Sequence, residues 1–538
     1  MESDQMPNTS RSNDKIFNND EDYVVKSMGA FGKWQAAICV LAAITRIPVL
    51  FNMHSIIFLT PTTDFACVQF KKSNTSDNGI YEVYEANDTI ENDVNIEHVM
   101  SNVKNDSYYD NIQFSLPIPI VQNGTCYDDC DKYEYYRHVF EETLVTEFDL
   151  ICDDKWKAGF TQTILMFGLL VGVSLFGWIS DRFGRRNGIV MASFLNVVLM
   201  MIAPFSYNYW TFNFIRFFIG LTSGGTMIIA IVYILEIVGP KYRELAGSLA
   251  LLPDGFSEAS LSLFAYISPN WRIYVLGYSI VSVIIVIFVF FLPETPRWLM
   301  SKGKDKFALE IMTKAAKCNK LNTDHIEDNI KTALEEMEIN DKGLRNVNYI
   351  NLFKTKDLAY KTIASIVIWT AAGACYFGIN QYITFLGSDI YITVMLLGFI
   401  QVPMCPISFL LNKTFGRKPT TIMALFITSF TMIALTFIPH GHWACTVFGI
   451  VGFAASSITF AIIYIYASEL FPTPLRNMAY GLSSAGAKIG AMVAPFIALL
   501  SPHWSSSVIF AIIPIVASLF CIILPETKGV TLMDSIRY

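Results

Sequence analysis

Four ionisable side chains stand far from the ends of long apolar stretches, where a charge is costly and is usually kept for a function. They are Arg46, Asp254, Glu258 and Lys488. Arg46, Asp254 and Lys488 each lie 12 or 13 residues after the basic residue that begins their apolar stretch. Glu258 lies one helical turn after Asp254. At about 1.5 Å per helical residue, that is roughly 18–20 Å from the helix end. These two bases and two acids are candidates for binding a charged solute or for neutralising one another.

The stretches that carry these charges belong to a chain that is apolar for most of its length. Its 538 residues are 53% hydrophobic and 16% charged. Twelve segments of about 20 residues are apolar enough to cross the roughly 30 Å hydrocarbon layer of a bilayer as helices. The sequence therefore predicts an all-α integral membrane protein with 12 transmembrane helices. The predicted spans lie near Trp34–Leu59, Lys157–Ile179, Gly188–Phe205, Tyr209–Leu235, Tyr242–Ile267, Trp271–Leu292, Tyr360–Phe385, Ser388–Leu411, Thr420–Ile438, Trp443–Ser468, Asn477–Leu500 and His503–Leu524.

Three short motifs occur twice in the chain, 232 or 233 positions apart. The paired motifs are Phe183-Gly184-Arg185-Arg186 with Phe415-Gly416-Arg417-Lys418, Glu236 and Arg243 with Glu469 and Arg476, and Pro293-Glu294-Thr295 with Pro525-Glu526-Thr527. Each half also contains six of the apolar spans, so we expect two six-helix pseudo-repeats. Two like halves around a central site are the arrangement by which secondary transporters alternate access.

The distribution of basic residues orients the predicted bundle. The short loops on one side hold nine Lys or Arg residues, whereas those on the other side hold only Arg272. Because basic loops mark the cytoplasmic side, both termini are expected there. We expect a cytosolic tail at residues 1–33, six-helix halves at 34–292 and 360–524, a cytosolic linker at 293–359 and a second tail at 525–538. The predicted localisation is a multi-pass protein of the plasma membrane.

One large outer segment, residues 61–155, carries the chemistry of an oxidising, lumenal compartment. It holds four glycosylation sequons, at Asn74, Asn87, Asn105 and Asn123. It also holds four cysteines, Cys67, Cys126, Cys130 and Cys152, which indicate two disulfides and leave three pairings open. The linker at 293–359 differs, because apolar residues recur there at three- and four-residue spacing. We expect short cytosolic helices in it, such as Phe307–Cys318 and Ile330–Met337.

Several of these motifs together resemble a known family. Gly177-Trp-Ile-Ser-Asp181-Arg182-Phe-Gly-Arg-Arg186 is similar to the loop between helices 2 and 3 of the major facilitator superfamily. With the stretches Glu147–Asp153, Glu236–Arg243, Leu292–Trp298 and Ser468–Thr473, the chain resembles the organic ion transporters of that superfamily. The stretch Phe148–Asp153 and the large outer loop are what narrow the resemblance to them, because the Pro-Glu-Thr element also occurs in sugar carriers. That family contains organic cation, carnitine and organic anion carriers. The second half departs from the pattern, because Asn412 or Lys413 stands where an Asp is expected.

The resemblance implies where the four deep charges lie and what they select. In the family's fold, helices 1, 5 and 11 line the cavity, so Arg46, Asp254, Glu258 and Lys488 would converge there. Lys488 matches a helix-11 position that is acidic in the family's cation carriers and Arg in many of its anion and carnitine carriers. A Lys there attracts anions and repels simple cations. The alternative is a charge-balanced structural network that does not contact substrate.

Two further groups of residues are candidates for the mechanism. Four polar or aromatic side chains at helical spacing in the seventh span suit a semi-polar organic solute, or else pack in the core. They are Tyr376, Phe377, Asn380 and Gln381. The repeated charges at the basic side can pair as a latch that holds the halves closed on the inner side and breaks in each cycle, whereas ordinary topology explains only the basic ones. The latch residues are Asp181, Arg182, Arg185, Arg186, Glu236, Arg243, Glu294, Glu469, Arg476 and Glu526.

These observations predict a secondary active or facilitative transporter of small organic ions that works by alternating access, with a lean to organic anions or carnitine-like zwitterions. The alternatives are an organic cation transporter, a sugar-type carrier and a non-transporting membrane sensor. No phosphate loop, dinucleotide fingerprint, metal-spaced Cys/His set or nucleophile–base arrangement occurs in the sequence. We therefore expect no enzyme, no cofactor and no bound metal. The expected partners are the organic ion, the lipid bilayer and a coupling ion, either a proton or sodium, and no nucleic acid.

Overall fold

The computed structural model describes residues 23–61, 63, 65–70, 126, 130–135, 139–343, 349–386, 389–439, 441–500 and 502–529. The chain divides into two compact units, one made of residues 1–61 and 139–538 and the other of residues 62–138. The predicted glycosylation sites Asn74, Asn87, Asn105 and Asn123 lie outside the described residues.

The larger unit is helical. Up to the linker its helices are α1 (Tyr23–Met28), α2 (Lys33–Ile44), α3 (Arg46–His54), α4 (Ile56–Leu59), α5 (Leu144–Glu147), α6 (Trp156–Phe183), α7 (Arg185–Ile202), α8 (Tyr209–Ile237), α9 (Arg243–Leu249), α10 (Leu252–Ile267) and α11 (Trp271–Val289). The linker and second half form α12 (Pro296–Ser301), α13 (Asp305–Cys318), α14 (Ile326–Gly343), α15 (Lys356–Leu386), α16 (Ile390–Phe415), α17 (Arg417–Leu435), α18 (Trp443–Leu470), α19 (Thr473–Ala498) and α20 (His503–Ile523).

Eleven helical segments of the described chain are long and apolar enough to cross a membrane. They correspond to eleven of the twelve predicted spans, and the prediction of an all-α membrane protein is confirmed. The remaining span, the fifth, was predicted as one helix over Tyr242–Ile267. The structure divides it into α9 and α10, with a short 3-10 turn at Pro240–Tyr242 in front.

Proline explains where two of the spans break. A proline lacks the N–H that bonds to the carbonyl four residues earlier, and its ring clashes with that carbonyl. The residue four positions before Pro48 is Ile44, where α2 ends. The residue four positions before Pro253 is Leu249, where α9 ends. Both breaks lie next to the deep charges Arg46 and Asp254.

Glycine sets the two tight turns at the basic end of the bundle, defined here as the end that carries Arg185 and Arg417. Gly184 separates α6 from α7 with φ 110°, and Gly416 separates α16 from α17 with φ 100°. These left-handed backbone angles favour glycine because it has no Cβ. At the opposite end, side-chain caps begin three helices by accepting a backbone N–H. The capping residues are Asn208 for α8, Asn270 for α11 and Asp389 for α16.

The linker helices pack together with the N-terminal helix at the basic end. The apolar sides of α1, α12, α13 and α14 share a core that includes Val24, Met28, Met312 and Ile326. The helical stretches predicted at Phe307–Cys318 and Ile330–Met337 lie within α13 and α14. Asn319 ties this group to the first span by donating to the carbonyl of Met28 and to the side chain of Gln35.

The smaller unit adds a feature that the all-α prediction did not include. Its described residues form two antiparallel strands, β1 (Phe65–Phe70) and β2 (Cys130–Tyr135). A disulfide joins Cys67 to Cys130 and so selects one of the three pairings left open by the sequence. Cys126 and Cys152 are each disulfide-bonded as well.

Candidate functional site

A cavity with about 600 Å³ of empty volume lies where the two halves of the helical unit meet. Its walls come from α3, α8, the start of α10, α15, α16, α18 and α19. Five of the eight residues predicted to bind substrate line it, namely Arg46, Asp254, Tyr376, Phe377 and Lys488. Charged, aromatic and apolar groups thus face one space in the middle of the bundle, as in sites for small organic ligands.

On the first-half wall the two deep charges neutralise each other. The guanidinium of Arg46 donates from Nε to Oδ1 of Asp254 at 3.2 Å and from Nη2 to Oδ2 at 2.9 Å. Two parallel bonds of this kind are the strong form of an arginine–carboxylate pair. Both side chains are at least nine-tenths buried. The third guanidinium nitrogen, Nη1, has no hydrogen-bond partner among the described residues and remains available to a ligand.

On the second-half wall Lys488 stands without an acidic partner. It projects from α19 into the same cavity, is 6% exposed and makes no ion pair with any described residue. Because Arg46 and Asp254 cancel, the ammonium of Lys488 gives the cavity lining an excess of one positive charge. The electrostatic field of the cavity therefore favours an anionic group.

Aromatic rings form part of the wall of the same cavity. Tyr376 packs edge to face on Phe377 with centroids 5.0 Å apart and stacks on Phe460 at 5.2 Å. Phe460 continues to Tyr464 at 5.5 Å. The Tyr376 hydroxyl accepts a 2.6 Å hydrogen bond from Nε2 of Gln401. Ring faces of this type suit an apolar body or a quaternary ammonium group.

The other three predicted substrate-binding residues do not line the large cavity. Asn380 and Gln381 line a second, smaller space of about 270 Å³, and Met53, His54 and Phe377 line both spaces. Glu258 lines neither space. It is fully buried, and its Oε1 accepts a 2.6 Å hydrogen bond from Nδ2 of Asn380. Three of the four deep charges, Arg46, Asp254 and Lys488, therefore line one cavity, whereas Glu258 lies one turn from Asp254 and pairs with an amide.

The structure adds cavity residues that the sequence analysis did not single out. Gln401 and Cys405 come from α16, and Tyr464 comes from α18. Gln401 and Tyr464 are polar groups within apolar spans, which is a usable signal. However, amides and tyrosines are common in such spans, and the sequence does not show which way their side chains point.

The two halves are joined at the end opposite to the basic end. Ser262 donates to the carbonyl of Tyr391 at 2.6 Å, and Thr163 donates to the carbonyl of Met492 at 2.7 Å. Gly255 and Gly398 let α10 and α16 approach so closely that a Cβ on either would meet the other's backbone carbonyl. These contacts hold the two halves together on that side of the cavity.

At the basic end the repeated motifs build the same cluster twice. In the first half, Nε of Arg185 donates to Glu236 at 2.9 Å, and its backbone N–H donates to Glu294 at 2.9 Å. In the second half, Nε of Arg417 donates to Glu469 at 3.0 Å, and its backbone N–H donates to Glu526 at 3.0 Å. These ion pairs each join residues of one half, so in this conformation they do not hold the two halves to each other as the predicted latch would.

The departure from the family pattern in the second half has a structural counterpart. In the first half Arg185 is shared among Glu236, Asp181 and the hydroxyl of Ser180. In the second half Lys413 stands in the position of Asp181, and Arg417 donates from both Nε and Nη2 to Glu469, at 3.0 and 2.8 Å.

Of the other latch residues, Arg186 donates to the carbonyl of Leu292 at 2.7 Å. Arg182 lies over the rings of Trp178 and Phe183, and Arg243 and Arg476 lie at the start of α9 and of α19.

The described residues contain no candidate metal-binding site. No group of three or more His, Cys, Asp or Glu side chains there is placed to hold a metal ion.

Comparison with known proteins gives consistent matches along the chain. The family model described as "Sugar (and other) transporter" matches residues 83–536. Organic cation/carnitine transporter 2 of Rattus norvegicus is 28% identical over 525 residues, covering 96% of this chain and 93% of that protein. Solute carrier family 22 member 16 of Xenopus laevis is 30% identical over 418 residues, 77% of this chain and 74% of that protein.

A relative from an insect and a solved bacterial structure extend these matches. Organic cation transporter-like protein of Drosophila melanogaster is 27% identical over 536 residues, covering 96% of this chain and 91% of that protein. The inward-open structure of the xylose transporter XylE from E. coli superposes with a TM-score of 0.59 and 17% identity, covering 93% of this chain and 98% of that one. At that identity the likeness establishes the fold alone.

Proposed function

Since the chain belongs to the sugar (and other) transporter family, and within it to the organic ion transporters of the major facilitator superfamily, we propose that it carries small organic anions or zwitterions across the membrane by alternating access. The observation that carries this proposal is the charge of the central cavity. Arg46 and Asp254 cancel, and Lys488 supplies an unpaired positive charge opposite them. A carboxylate on the substrate would bind Lys488 and the free Nη1 of Arg46.

The aromatic wall supports a zwitterion in particular. Carnitine, which appears in the name of the rat relative, has a carboxylate and a quaternary ammonium group. An ammonium group near the faces of Tyr376, Phe377 and Phe460 would gain cation–π attraction while the carboxylate faces Lys488. Simple organic cations are the second candidate, because the Drosophila relatives are named for them. Lys488 opposes that reading, since it repels a cation that has no carboxylate.

Uptake of four probes into cells that express the protein tests the proposal. The probes are radiolabelled L-carnitine, benzoate, tetraethylammonium and D-xylose, each measured at two pH values with and without sodium. We expect uptake of L-carnitine or benzoate above that of non-expressing cells, and little of the other two. Tetraethylammonium uptake alone would favour a cation carrier, and xylose uptake alone a sugar carrier. No uptake of any probe, with surface expression verified by antibody, would contradict the assignment to small organic ions.

The clusters at the basic end are proposed as the gating elements of this cycle. Each cluster clamps the ends of several helices within its own half, so each half can move as a rigid body. We place the basic end in the cytosol because of the positive-inside rule, with the protein in the plasma membrane. The outer segment would then be glycosylated at Asn74, Asn87, Asn105 and Asn123. Glycosidase treatment should increase gel mobility, and replacing all four asparagines should abolish that shift.

A further inference from the structure

Glu258 and Asn380 lie on opposite halves of the bundle and share one hydrogen bond in its interior. Nδ2 of Asn380 donates to Oε1 of Glu258 at 2.6 Å. Each side chain has one further oxygen, Oε2 of Glu258 and Oδ1 of Asn380, that is buried and has no hydrogen-bond partner among the described residues. The exposed fractions of the two side chains are 0% and 1%. Two acceptor oxygens thus remain unmatched at the same contact.

A single proton accounts for both unmatched oxygens. An ionised carboxylate only accepts hydrogen bonds, as does the amide carbonyl, so neither can satisfy the other. A protonated carboxyl group has an O–H that donates. Paired with a primary amide, it closes a ring of two hydrogen bonds, in which Nδ2–H donates to Oε1 and Oε2–H donates to Oδ1. No electrons move in this step, and the proton is exchanged with water.

The charges around Glu258 support the neutral form. Glu258 makes no ion pair with a described residue, and the guanidinium of Arg46 is already engaged by Asp254, one turn earlier on α10. Burying an ionised carboxylate without a cationic partner is far more costly than burying the neutral acid. The charged or titratable groups in the middle of the elements packed against α10 are Arg46 and His54 on α3, Tyr274 and Tyr278 on α11, Cys375, Tyr376 and Tyr382 on α15, and Tyr391 and Cys405 on α16.

We propose that Glu258 carries a proton in this conformation and that the Glu258–Asn380 pair is the proton-coupling site of the transport cycle. This inference rests on the proposed function, which it deepens by naming the coupling ion. Sodium is the competing ion. Hard metal cations gather about six oxygen ligands, whereas this contact offers two unmatched oxygens.

The position of the pair explains how a proton would couple to movement. Glu258 on α10 and Asn380 on α15 belong to different halves and lie toward the end at which Ser262 and Tyr391 also join the halves. Protonation adds a second hydrogen bond across the halves and stabilises closure at that end. Loss of the proton leaves both oxygens without a donor and buries a charge, which favours separation of the halves and entry of water. Proton binding from one side and release to the other would then bias the alternation.

Infrared spectroscopy of the purified full-length protein in lipid vesicles tests the proton without any substrate. A protonated carboxylic acid has a carbonyl stretch well separated from the carboxylate bands. We expect such a band at neutral pH, its loss on alkalinisation, and its absence in Glu258→Gln. The glutamine variant preserves the pairing with Asn380, because its amide supplies both a donor and an acceptor, so folding should be retained.

Two further variants serve as controls for that band. Glu310→Gln should leave it in place, because Glu310 is an exposed carboxylate that pairs with Lys314 on the surface of α13. Asn380→Leu should shift its frequency, since the O–H loses its acceptor, whereas Gln381→Leu at the next position should not. If no carbonyl band is lost in Glu258→Gln, Glu258 is ionised and the proposal is overturned. Carboxylate bands of Glu258 that shift when sodium is added would assign the site to sodium and overturn it as well.

Transport supplies an independent readout, in vesicles that contain a pH-sensitive dye. With whichever organic probe the wild type takes up, we expect proton movement with the substrate and uptake that falls up to about tenfold per pH unit on the alkaline side. Glu258→Gln should show uptake that is insensitive to pH and no proton movement. Proton-independent uptake by the wild type would overturn the coupling. Absence of uptake of every probe would contradict the proposed function while leaving the infrared result intact.

Discussion

Arg46 and Asp254, which are 208 positions apart in the chain, are joined by two hydrogen bonds of 3.2 and 2.9 Å in the wall of the central cavity. The pair fixes α3 to α10 within the first half, next to the two helix breaks that Pro48 and Pro253 introduce. It also removes both charges from the electrostatic balance of the cavity. The ammonium of Lys488 on the other half makes no ion pair with a described residue and is therefore the group we expect to select substrate charge.

Reversing the charge at Lys488 should reverse the preference of the carrier. Lys488→Asp changes the cavity charge by two units where screening is weak. We expect uptake of a carboxylate such as benzoate to fall at least tenfold and uptake of tetraethylammonium to rise, measured in parallel with the wild type. Lys488→Arg is the matched control and should retain anion uptake. Strong wild-type uptake of the cation that is unaffected by the reversal would mean that Lys488 does not select substrate.

Removing one partner of the buried pair should destabilise the protein more than removing both. Arg46→Leu or Asp254→Leu leaves an uncompensated buried charge, which costs about 3–5 kcal/mol. The double variant leaves no charge, so its melting temperature in detergent should lie above that of either single variant. Thermal unfolding of the wild type, the two single variants and the double variant gives the coupling energy between the two side chains. Strictly additive losses in the double variant would show that the two side chains do not act as a pair.

Breaking the first-half cluster should slow turnover without removing binding. Arg185→Ala leaves Glu236 and Asp181 without their shared guanidinium, and we expect the maximal uptake rate to fall about tenfold, since charged hydrogen bonds contribute roughly 1.5–3 kcal/mol. The apparent affinity should change little, because the cluster is far from the cavity. Lys314→Ala, which removes an exposed surface pair with Glu310, is the control. A wild-type rate in Arg185→Ala would contradict the gating role.

Glu294 and Glu526 occupy equivalent positions but should respond oppositely to pH. Burial raises the pKa of Glu294 and outweighs the backbone N–H groups of Thr295, Arg186 and Arg185 that lower it. Burial also acts to raise the pKa of Glu526, but there the backbone N–H groups of Lys528, Arg417, Lys418 and Thr527 outweigh it and hold the pKa below its usual range.

The sign of each contribution follows from linkage. The stabilisation by Glu526 is present above the pKa of the unfolded chain and is lost as pH falls through the lower folded pKa. The stabilisation by Glu294 is present below its unfolded pKa and is lost as pH rises through its higher folded pKa. Relative to wild type, the melting temperature of Glu526→Gln should therefore fall from acidic to neutral pH, and that of Glu294→Gln should rise. Parallel pH dependences of the two variants would contradict this assignment.

The close approach of α10 and α16 should be required for closure at the end opposite to the basic end. A side chain at Gly398 would meet the backbone of Gly255 and Ala259, so Gly398→Leu should hold the halves apart there. We expect uptake to fall to background while the protein folds and reaches the surface. Gly247→Ala, where no atom lies within 4 Å of an added Cβ, is the control and should transport normally. Normal uptake by Gly398→Leu would show that this contact is dispensable.

The sequence by itself determined the features that depend on position along the chain. Apolar length predicted the spans, the 232-residue offset predicted the repeated clusters, and helical rise placed Arg46, Asp254 and Lys488 at mid-membrane depth. The break in the fifth span was missed, although Pro253 was visible in the sequence, because many membrane helices accommodate proline without breaking. Pro403 and Pro406 within the continuous α16 are examples in this chain.

Only the tertiary structure decided which side chains meet. Depth along a helix says how far a charge lies from the membrane surface, but not which neighbouring helix it faces, because that depends on the rotation of each helix about its axis. The sequence placed four charges at similar depth, but only the structure shows that Arg46 pairs with Asp254, that Glu258 pairs with the amide of Asn380, and that Lys488 faces the cavity. The disulfide between Cys67 and Cys130 was likewise decided by the tertiary structure, which brings their Cα atoms to 5.9 Å, a proximity that cysteine spacing does not reveal.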